Sequence, residues 1–302
     1  MKKLLILSGK GGTGKTTTAG AFVEFSRAKA VADCDVDAPN LHLIARIGGE
    51  AEESDFIGGE RAVINPRKCV GCGLCAENCR FDAIDASRRP FRVKEFACEG
   101  CGVCAYVCPQ KAVTLEPDVC GTKQLYRGER VLSTARLKMG RGNSGKLVTA
   151  VKVDLLKNAP ETELAIIDGS PGIGCPVISS VSGVDLVLVV AEPSVSGLSD
   201  LGRLVKTART FEVKLAVCVN KWTQSPEKTA EIEAFCRENG LPFVGRIPYD
   251  PEASKAINEG RSLASADCPA GRALKCIYEE CRSLLGLEPS QISQAPQAVP
   301  HI

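Results

Sequence analysis

Residues 2–17 read KKLLILSGKGGTGKTT, an apolar segment that runs directly into a glycine-rich loop. The apolar segment predicts a short buried strand over residues 3–7, and the sequence after the loop predicts a helix to about Ala28. Between them lies the pattern G-x4-G-K-[ST], which is typical of phosphate-binding loops when a strand precedes it and a helix follows. Its fixed positions are Gly9, Gly14, Lys15 and Thr16. The stretch therefore predicts a P-loop, with an unliganded glycine-rich turn as the alternative.

A P-loop binds phosphate for physical reasons that these residues satisfy. Glycines let the backbone wrap round the phosphates with its N–H groups pointing inward, and the helix N-terminus adds its dipole. The Lys15 ammonium neutralises phosphate charge, and the Thr16 hydroxyl holds Mg²⁺. The predicted nucleotide contacts of the loop are Gly9, Gly11, Gly12, Thr13, Gly14, Lys15, Thr16 and Thr17.

Further apolar segments alternate with helix-length segments along the rest of the chain, and such continuous apolar strands are typical of a parallel sheet that is covered on both faces. We therefore expect an α/β fold with a doubly wound, mostly parallel sheet. The alternation of strands and helices is interrupted after the second strand, where an acidic segment over residues 48–59 predicts loops. The remaining strands are predicted at residues 30–33, 164–168, 185–191, 214–219 and 242–247.

The early lysine of the loop, Lys10 in KGGTGKTT, resembles the deviant Walker A motif of the MinD/ParA/Mrp-type ATPases. In that family the lysine reaches across a nucleotide-sandwich dimer to the partner's phosphates. The resemblance implies an ATP-dependent homodimer in which Lys10 acts in trans, much as an arginine finger does. A solvated surface lysine is the alternative interpretation.

Other positions match the same family one by one. Asp33 and Asp35 resemble switch I, which implies that Asp33 orients Mg²⁺ through water and Asp35 orients the attacking water. The segment LAIIDGSPG resembles Walker B and switch II, with Asp168 near Mg²⁺ and Gly169 facing the γ-phosphate. Asn220 matches the asparagine that reads adenine. Strand-ending turns and Asx turns are the alternatives. The implied catalytic residues are Lys10, Lys15 and Asp35, with ATP or ADP and Mg²⁺ as ligands.

Cysteine is in excess, with 16 in the chain. Eight form two runs spaced C-x2-C-x2-C-x3-C, and without a signal peptide they are expected to bind metal rather than form disulfides. This spacing is typical of bacterial ferredoxins with two [4Fe–4S] clusters, whereas structural zinc sites favour C-x2-C pairs. In such ferredoxins the fourth cysteine of each run ligates the other cluster. That implies one cluster on Cys69, Cys72, Cys75 and Cys108, and another on Cys98, Cys101, Cys104 and Cys79.

The chain as a whole resembles the MinD superfamily group that carries an inserted ferredoxin domain. The resemblance implies a P-loop ATPase domain over residues 1–59 and 116–285, interrupted by a small α+β ferredoxin-like domain over residues 60–115. Residues 286–302 are rich in Pro, Gln and Ser and predict a disordered tail.

Charge and hydropathy limit the partners. The formal net charge is +2, from 38 basic and 36 acidic residues, so no basic field predicts nucleic-acid or membrane binding. The first apolar run is too short for a signal peptide, and no run approaches the ~20 residues of a membrane span. We therefore expect a cytoplasmic protein.

Three functional hypotheses remain open. The first is a dimeric ATPase that couples nucleotide state to electron transfer or metallocofactor maturation, with a redox partner or client metalloprotein. The second is an Mrp-like carrier whose clusters are cargo. The third, ParA-like positioning, is disfavoured by the neutral charge of the chain.

Overall fold

The computed structural model describes residues 1–45 and 47–290. Its strands are β1 (Lys2–Leu7), β2 (Ala30–Asp33), β3 (Ala51–Ile64), β4 (Ile84–Asp85), β5 (Arg92–Val93), β6 (Val113–Tyr126), β7 (Val131–Leu137), β8 (Leu164–Asp168), β9 (Leu186–Ala191), β10 (Lys214–Asn220) and β11 (Phe243–Ile247). Its α-helices are α1 (Lys15–Ser26), α2 (Leu41–Ile44), α3 (Leu74–Glu77), α4 (Val103–Tyr106), α5 (Ser144–Asn158), α6 (Cys175–Val181), α7 (Val195–Arg209), α8 (Pro226–Glu238), α9 (Pro251–Asn258) and α10 (Pro269–Leu285).

Nine strands form one sheet in the order β11-β10-β9-β1-β8-β2-β7-β6-β3. The pairs from β11 through to β7 are parallel. The predicted α/β fold with a mostly parallel sheet is therefore confirmed. β1 lies between β8 and β9, so the loop that follows β1 opens at the point where the strand order reverses. Ligands of open α/β sheets bind in this crevice, beyond the carboxyl ends of the strands.

The core lies between the sheet and the helices that cover it. Residues Leu4–Leu7 of β1 are buried, as the apolar pattern predicts. Helices α1 and α10 pack together through aromatic rings, with the Phe22 centroid 5.2 Å from that of Tyr278. Such edge-to-face pairs add specificity to the burial of apolar area. This packing anchors α1, the helix whose first residue is Lys15.

The chain divides into two compact units. The first contains residues 1–53, residues 124–136 and the chain from residue 144 onward. The second contains residues 54–123 and 137–143. The predicted insert, residues 60–115, falls inside the second unit. The acidic segment predicted as loops instead forms much of β3, a 14-residue strand. Its alternation of exposed and buried residues is too weak to indicate a strand without its neighbour β6.

The second unit is built round an internal repeat. Helices α3 and α4 occupy equivalent places in the two cysteine runs, and each follows a glycine with positive φ, Gly73 at 91° and Gly102 at 79°. Strands β4 and β5 pair antiparallel. A small core is shared by both runs and contains Ala62, Cys75, Ile84, Phe91, Cys104 and Val113. Strands and helices are thus both present in this unit, which brings the two runs together.

The predicted disordered tail has an ordered beginning. The Ser290 N–H donates to Glu279 Oε2 at 3.1 Å, and Arg282 Nε donates to the Glu288 carbonyl oxygen at 2.7 Å. Residues 288 and 290, within the predicted tail, thus contact α10. Residues 291–302 lie outside the described part. Within the described ranges, no helix is long and apolar enough to cross a bilayer.

Candidate functional site

The loop between β1 and α1 makes two close approaches that exclude side chains. A Cβ at Gly14, which has φ 93°, would lie 2.3 Å from Asn220 Nδ2. A Cβ at Gly9 would lie 2.2 Å from Asp200 Cβ on α7. Because real Cβ atoms do not tolerate such distances, these two positions require glycine. The glycines of the motif therefore place the loop against α7 and the end of β10.

Lys15 is held by acidic side chains at the centre of the site. Its Nζ lies 2.6 Å from Asp168 Oδ1 and 3.6 Å from Asp35 Oδ2. Burial opposes the charged form, but these carboxylates outweigh it and raise the pKa of Lys15 above its ordinary value. Lys15 Nζ also donates to Thr16 Oγ1 at 3.2 Å. Phosphate oxygens entering the loop would therefore replace Asp168 as the partner of an ammonium that is already charged.

Asp33 organises the backbone that follows β2. Its Oδ1 accepts from the Asp35 N–H at 3.0 Å, and its Oδ2 accepts from the N–H groups of Asn40 and Leu41 at 2.9 and 3.0 Å. Burial, with the nearby Asp168 carboxylate, raises the pKa of Asp33 to about 7. The aspartate predicted to orient Mg²⁺ through water thus also holds the switch I segment in shape.

Asp168 has a buried carboxylate oxygen that is suited to a cation. The residue is fully buried, and its Oδ2 has no hydrogen-bond partner among the described residues. An unpaired buried carboxylate oxygen is costly, and carboxylate, hydroxyl and phosphate oxygens are the ligands that Mg²⁺ prefers. Asp168 and the Thr16 hydroxyl therefore fit a nucleotide-bound Mg²⁺.

Asp35 and Gly169 border the same centre. Burial raises the pKa of Asp35 above its ordinary value, opposed by Lys15. A Cβ at Gly169 would lie 2.3 Å from Leu7 Cδ2, so glycine is required there. The Gly169 N–H donates to the Ile6 carbonyl oxygen at 2.9 Å and continues the pairing of β1 with β8. The contact of Gly169 with a γ-phosphate stays a prediction. It would require the Gly169 N–H to leave the Ile6 carbonyl oxygen and donate to the phosphate.

Lys10 is bound within its own chain rather than pointing freely outward. Its Nζ lies 2.6 Å from Glu192 Oε2, and Lys221 Nζ lies 3.7 Å from Glu192 Oε1. The hydrogen bond from Lys10 lowers the pKa of Glu192 below its ordinary value. Sequence reasoning gave no role to Glu192. The sequence does carry a signal that could have identified Glu192. It stands directly after an apolar strand, much as Asp33 stands at the end of β2.

A pocket of about 220 Å³ opens beside the loop. Asn220 lines it, with Nδ2 donating to the Thr13 carbonyl oxygen at 2.7 Å and Oδ1 accepting from the Lys221 N–H at 2.9 Å. These bonds orient the amide and leave a second acceptor site on Oδ1 for an amino group such as that of adenine. The sequence did not indicate the remaining wall, which includes Ile247, Pro248, Tyr249, Asp250, Ala253, Leu263 and Leu274.

The eight cysteines of the two runs line two pockets in the second unit. The first-run pocket is lined by Cys69, Cys72, Cys75 and Cys108. The second-run pocket is lined by Cys79, Cys98, Cys101 and Cys104. Each pocket thus takes three cysteines from one run and the fourth cysteine from the other.

Backbone amides point at several of these sulfurs. The Ala83 N–H donates to Cys79 Sγ and the Ala112 N–H to Cys108 Sγ, both at 3.3 Å. The Ala62 N–H donates to Cys98 Sγ at 3.4 Å. Such bonds stabilise thiolates and are one of the levers that set the potential of an iron–sulfur cluster. The amide arrangement suits sulfurs that carry negative charge.

The described residues contain no group of three or more His, Cys, Asp or Glu side chains arranged to hold a metal ion. A structural zinc needs four ligands at about 2.0–2.3 Å from one point. A [4Fe–4S] cluster instead uses four thiolates spread round a larger body. Each pocket's four cysteines match in number the four thiolates that such a cluster uses.

The loop, the buried strand-end carboxylates and the parallel sheet together define a P-loop nucleoside triphosphatase. The chain belongs to the CobQ/CobB/MinD/ParA nucleotide binding domain family, whose model matches residues 4–263. It is accordingly an ATPase of the P-loop class. The resemblance to MinD/ParA-type ATPases, which was inferred from Lys10 and the strand-end motifs, is therefore confirmed for the family.

Individual relatives agree with the family. An uncharacterized protein of Methanocaldococcus jannaschii is 32% identical over 290 residues, which cover 94% of this chain and 97% of that protein. The iron-sulfur cluster carrier protein of Pyrococcus furiosus is 24% identical over 297 residues, covering 92% and 84%. The crystal structure of the cell division ATPase MinD of Pyrococcus furiosus superposes with a TM-score of 0.56 at 18% identity, covering 94% and 99%.

Proposed function

We propose that the protein is a dimeric ATPase that couples its nucleotide state to electron transfer or metallocofactor maturation through two [4Fe–4S] clusters. The observation that carries this proposal is the sorting of eight cysteines into two pockets, each lined by cysteines of both runs. Clusters shared between the runs are part of how the second unit is held together. Such clusters therefore suit a permanent role in electron transfer rather than delivery to another protein.

The nucleotide site supplies the ATPase part of the proposal. Asn220 and the adjoining pocket receive the base, and Lys15 transfers from Asp168 to the phosphates. Asp168 and Thr16 then hold Mg²⁺, and Asp35 orients the attacking water. Asp35 lies close enough for this role, since its Oδ2 is 3.6 Å from Lys15 Nζ.

The dimer is supported by the position of Lys10. Its side chain is 41% exposed and that of its partner Glu192 is 23% exposed. A partly exposed ion pair of this kind contributes little stability, so nucleotide phosphates of a second protomer can compete for Lys10. Glu192 thus acts as the resting partner of the lysine that is proposed to act in trans.

We expect Glu192→Gln to strengthen ATP-dependent dimerisation roughly two- to fivefold, because the variant keeps the shape of the side chain but removes a partly exposed ion pair with Lys10. Light scattering after size-exclusion chromatography with a non-hydrolysable ATP analogue measures this. Glu233→Gln is the matched control, since Glu233 pairs with Arg246 instead. Unchanged dimerisation of Glu192→Gln would contradict the proposal that Glu192 pairs with Lys10 until a second protomer binds.

The test of the proposed clusters is an iron and sulfide assay on anaerobically purified protein, with EPR of the reduced form. About eight irons per chain are expected, four for each cluster. Stoichiometric zinc without iron would refute the proposal. If the clusters are permanent, chelator treatment should remove little iron from the folded protein.

A second candidate function is cluster delivery. It is favoured by the exposure of Cys72 and Cys101 and by the relative named as an iron-sulfur cluster carrier protein. Incubation of the iron-loaded protein with an apo-ferredoxin separates the two functions. ATP-dependent loss of iron to the acceptor supports delivery, whereas retained iron with reversible reduction supports electron transfer.

A further inference from the structure

Four exposed basic side chains lie round the first-run pocket. Lys68 immediately precedes Cys69, and Arg67 precedes Lys68. Arg89 Nη2 donates to the carbonyl oxygen of Gly71, a lining residue, at 3.2 Å. Lys111 stands between two lining residues. We define Arg67, Lys68, Arg89 and Lys111 as the basic face.

The basic face is not neutralised within its own unit. Its four side chains form no ion pair with any residue of the described part of the chain, and Arg89 bonds a neutral carbonyl. Glu77 is an acidic side chain beside this pocket, with Oε1 3.3 Å from where a Cβ at Gly73 would lie. The four basic side chains outnumber this carboxylate, so the face is positive.

The second-run pocket has mixed surroundings. Glu99 lines the pocket, and Glu116 follows the lining residue Leu115; both are exposed. Basic residues adjoin the same pocket: Arg80 follows Cys79, and Arg92 and Lys94 flank the lining residue Val93. Lys94 is paired with Asp82. The excess of unpaired positive charge round the first-run pocket therefore has no equivalent here, although the two cysteine runs have the same spacing.

Apolar side chains lie within the basic face. Val70 is 53% exposed and Leu74 is 39% exposed, on either side of the exposed Cys72. A small apolar centre with a charged rim is the usual composition of a protein interface. Electron-transfer complexes have small interfaces, and complementary rim charges mainly raise their association rates. The surface therefore combines access to the pocket with a means of attracting an acidic partner.

We infer that the basic face docks an acidic one-electron carrier protein, which exchanges one electron with the cluster of the first-run pocket. In the reducing direction the carrier loses one electron and the cluster gains it, without any bond being made or broken. The second-run pocket lacks such an excess of positive charge, so the carrier docks at the first-run pocket. This inference rests on the proposed clusters.

The charges favour a protein over a nucleic acid. A phosphate backbone is bound by basic residues along an extended track. Here four charges surround one pocket, and the glutamates of the other pocket oppose a long polyanion. The chain as a whole carries a net charge of only +2. A compact acidic protein that covers one pocket matches this distribution better.

The test uses anaerobic, iron-loaded full-length protein with oxidised flavodoxin as the acidic one-electron probe. Calorimetric titration at low and at physiological salt measures binding, and stopped-flow absorbance measures reduction of the clusters by flavodoxin hydroquinone. We expect Lys68→Glu to weaken binding roughly tenfold at low salt, with a smaller difference at higher salt. Arg80→Glu is the matched control, because it places the same charge change beside the second-run pocket, and its binding should match wild type.

Iron content and the visible spectrum establish that each variant holds its clusters. If Lys68→Glu loses iron, Arg67→Glu replaces it, because Arg67 is not adjacent to a cysteine. Binding that is equal in wild type and in the variant, or lost equally in Arg80→Glu, overturns the inference. Tighter binding of a mixed-sequence single-stranded 20-nucleotide DNA, lost in Lys68→Glu, assigns the face to nucleic acid instead. Protein without iron refutes the clusters, whichever result the binding experiment gives.

Discussion

Lys15→Ala is expected to abolish ATP binding. Lys15 is 5% exposed, and its Nζ is held within 4 Å of two carboxylates, so its charge is fixed at the place where the phosphates must enter. Its removal leaves Asp33, Asp35 and Asp168 without a compensating cation, and these carboxylates then repel the nucleotide. An affinity loss on the order of 10³-fold follows, because breaking one buried ion pair costs about 3–5 kcal/mol and each 1.4 kcal/mol is about tenfold in affinity.

Calorimetric titration with ATP and Mg²⁺ measures the loss. Lys221→Ala is the control, because Lys221 Nζ also lies near the loop, 3.3 Å from the Gly12 carbonyl oxygen, but is exposed to solvent. Its effect on affinity should be much smaller. Circular dichroism establishes that Lys15→Ala is folded. Nucleotide affinity near that of wild type would exclude the proposed role of Lys15.

Cys79→Ser is expected to damage the cluster of the second run although Cys79 belongs to the first run. The reason is spatial, since Cys79 lines the pocket of Cys98, Cys101 and Cys104. Serine is a much poorer ligand for iron than a thiolate. We expect iron to fall from about eight toward about four per chain, since each cluster carries about four irons.

EPR of the reduced variants identifies which cluster is lost. Cys108→Ser is the reciprocal variant, and it should damage the other cluster. Cys218→Ser is the control, because Cys218 is fully buried in β10, away from both runs, and should leave iron content unchanged. If Cys79→Ser and Cys75→Ser gave the same residual EPR signal, the crossed assignment would be wrong.

Local sequence patterns were enough to predict the phosphate loop and the central fold. The motif from Gly9 to Thr16 specifies a strand–loop–helix unit, because its glycines and its lysine are required by contacts within a few residues and with the phosphates. The apolar strands are buried on both faces, so their hydrophobicity does not depend on which neighbours they pair with. The strand-end aspartates could be placed together for the same reason, since parallel strands end at one edge.

Tertiary structure decided the features that depend on distant residues. β3 is half-exposed and acidic, so its strand character becomes evident only beside β6. Glu192 and the wall from Ile247 to Asp250 reach the loop because β9, β10 and β11 follow β1 in the sheet, an order that no local pattern encodes. The sequence supplied the spacing of the cysteines and their charged neighbours. Only folding brought Cys79 and Cys108 to opposite pockets, because a pocket is lined by residues that are close in space rather than along the chain.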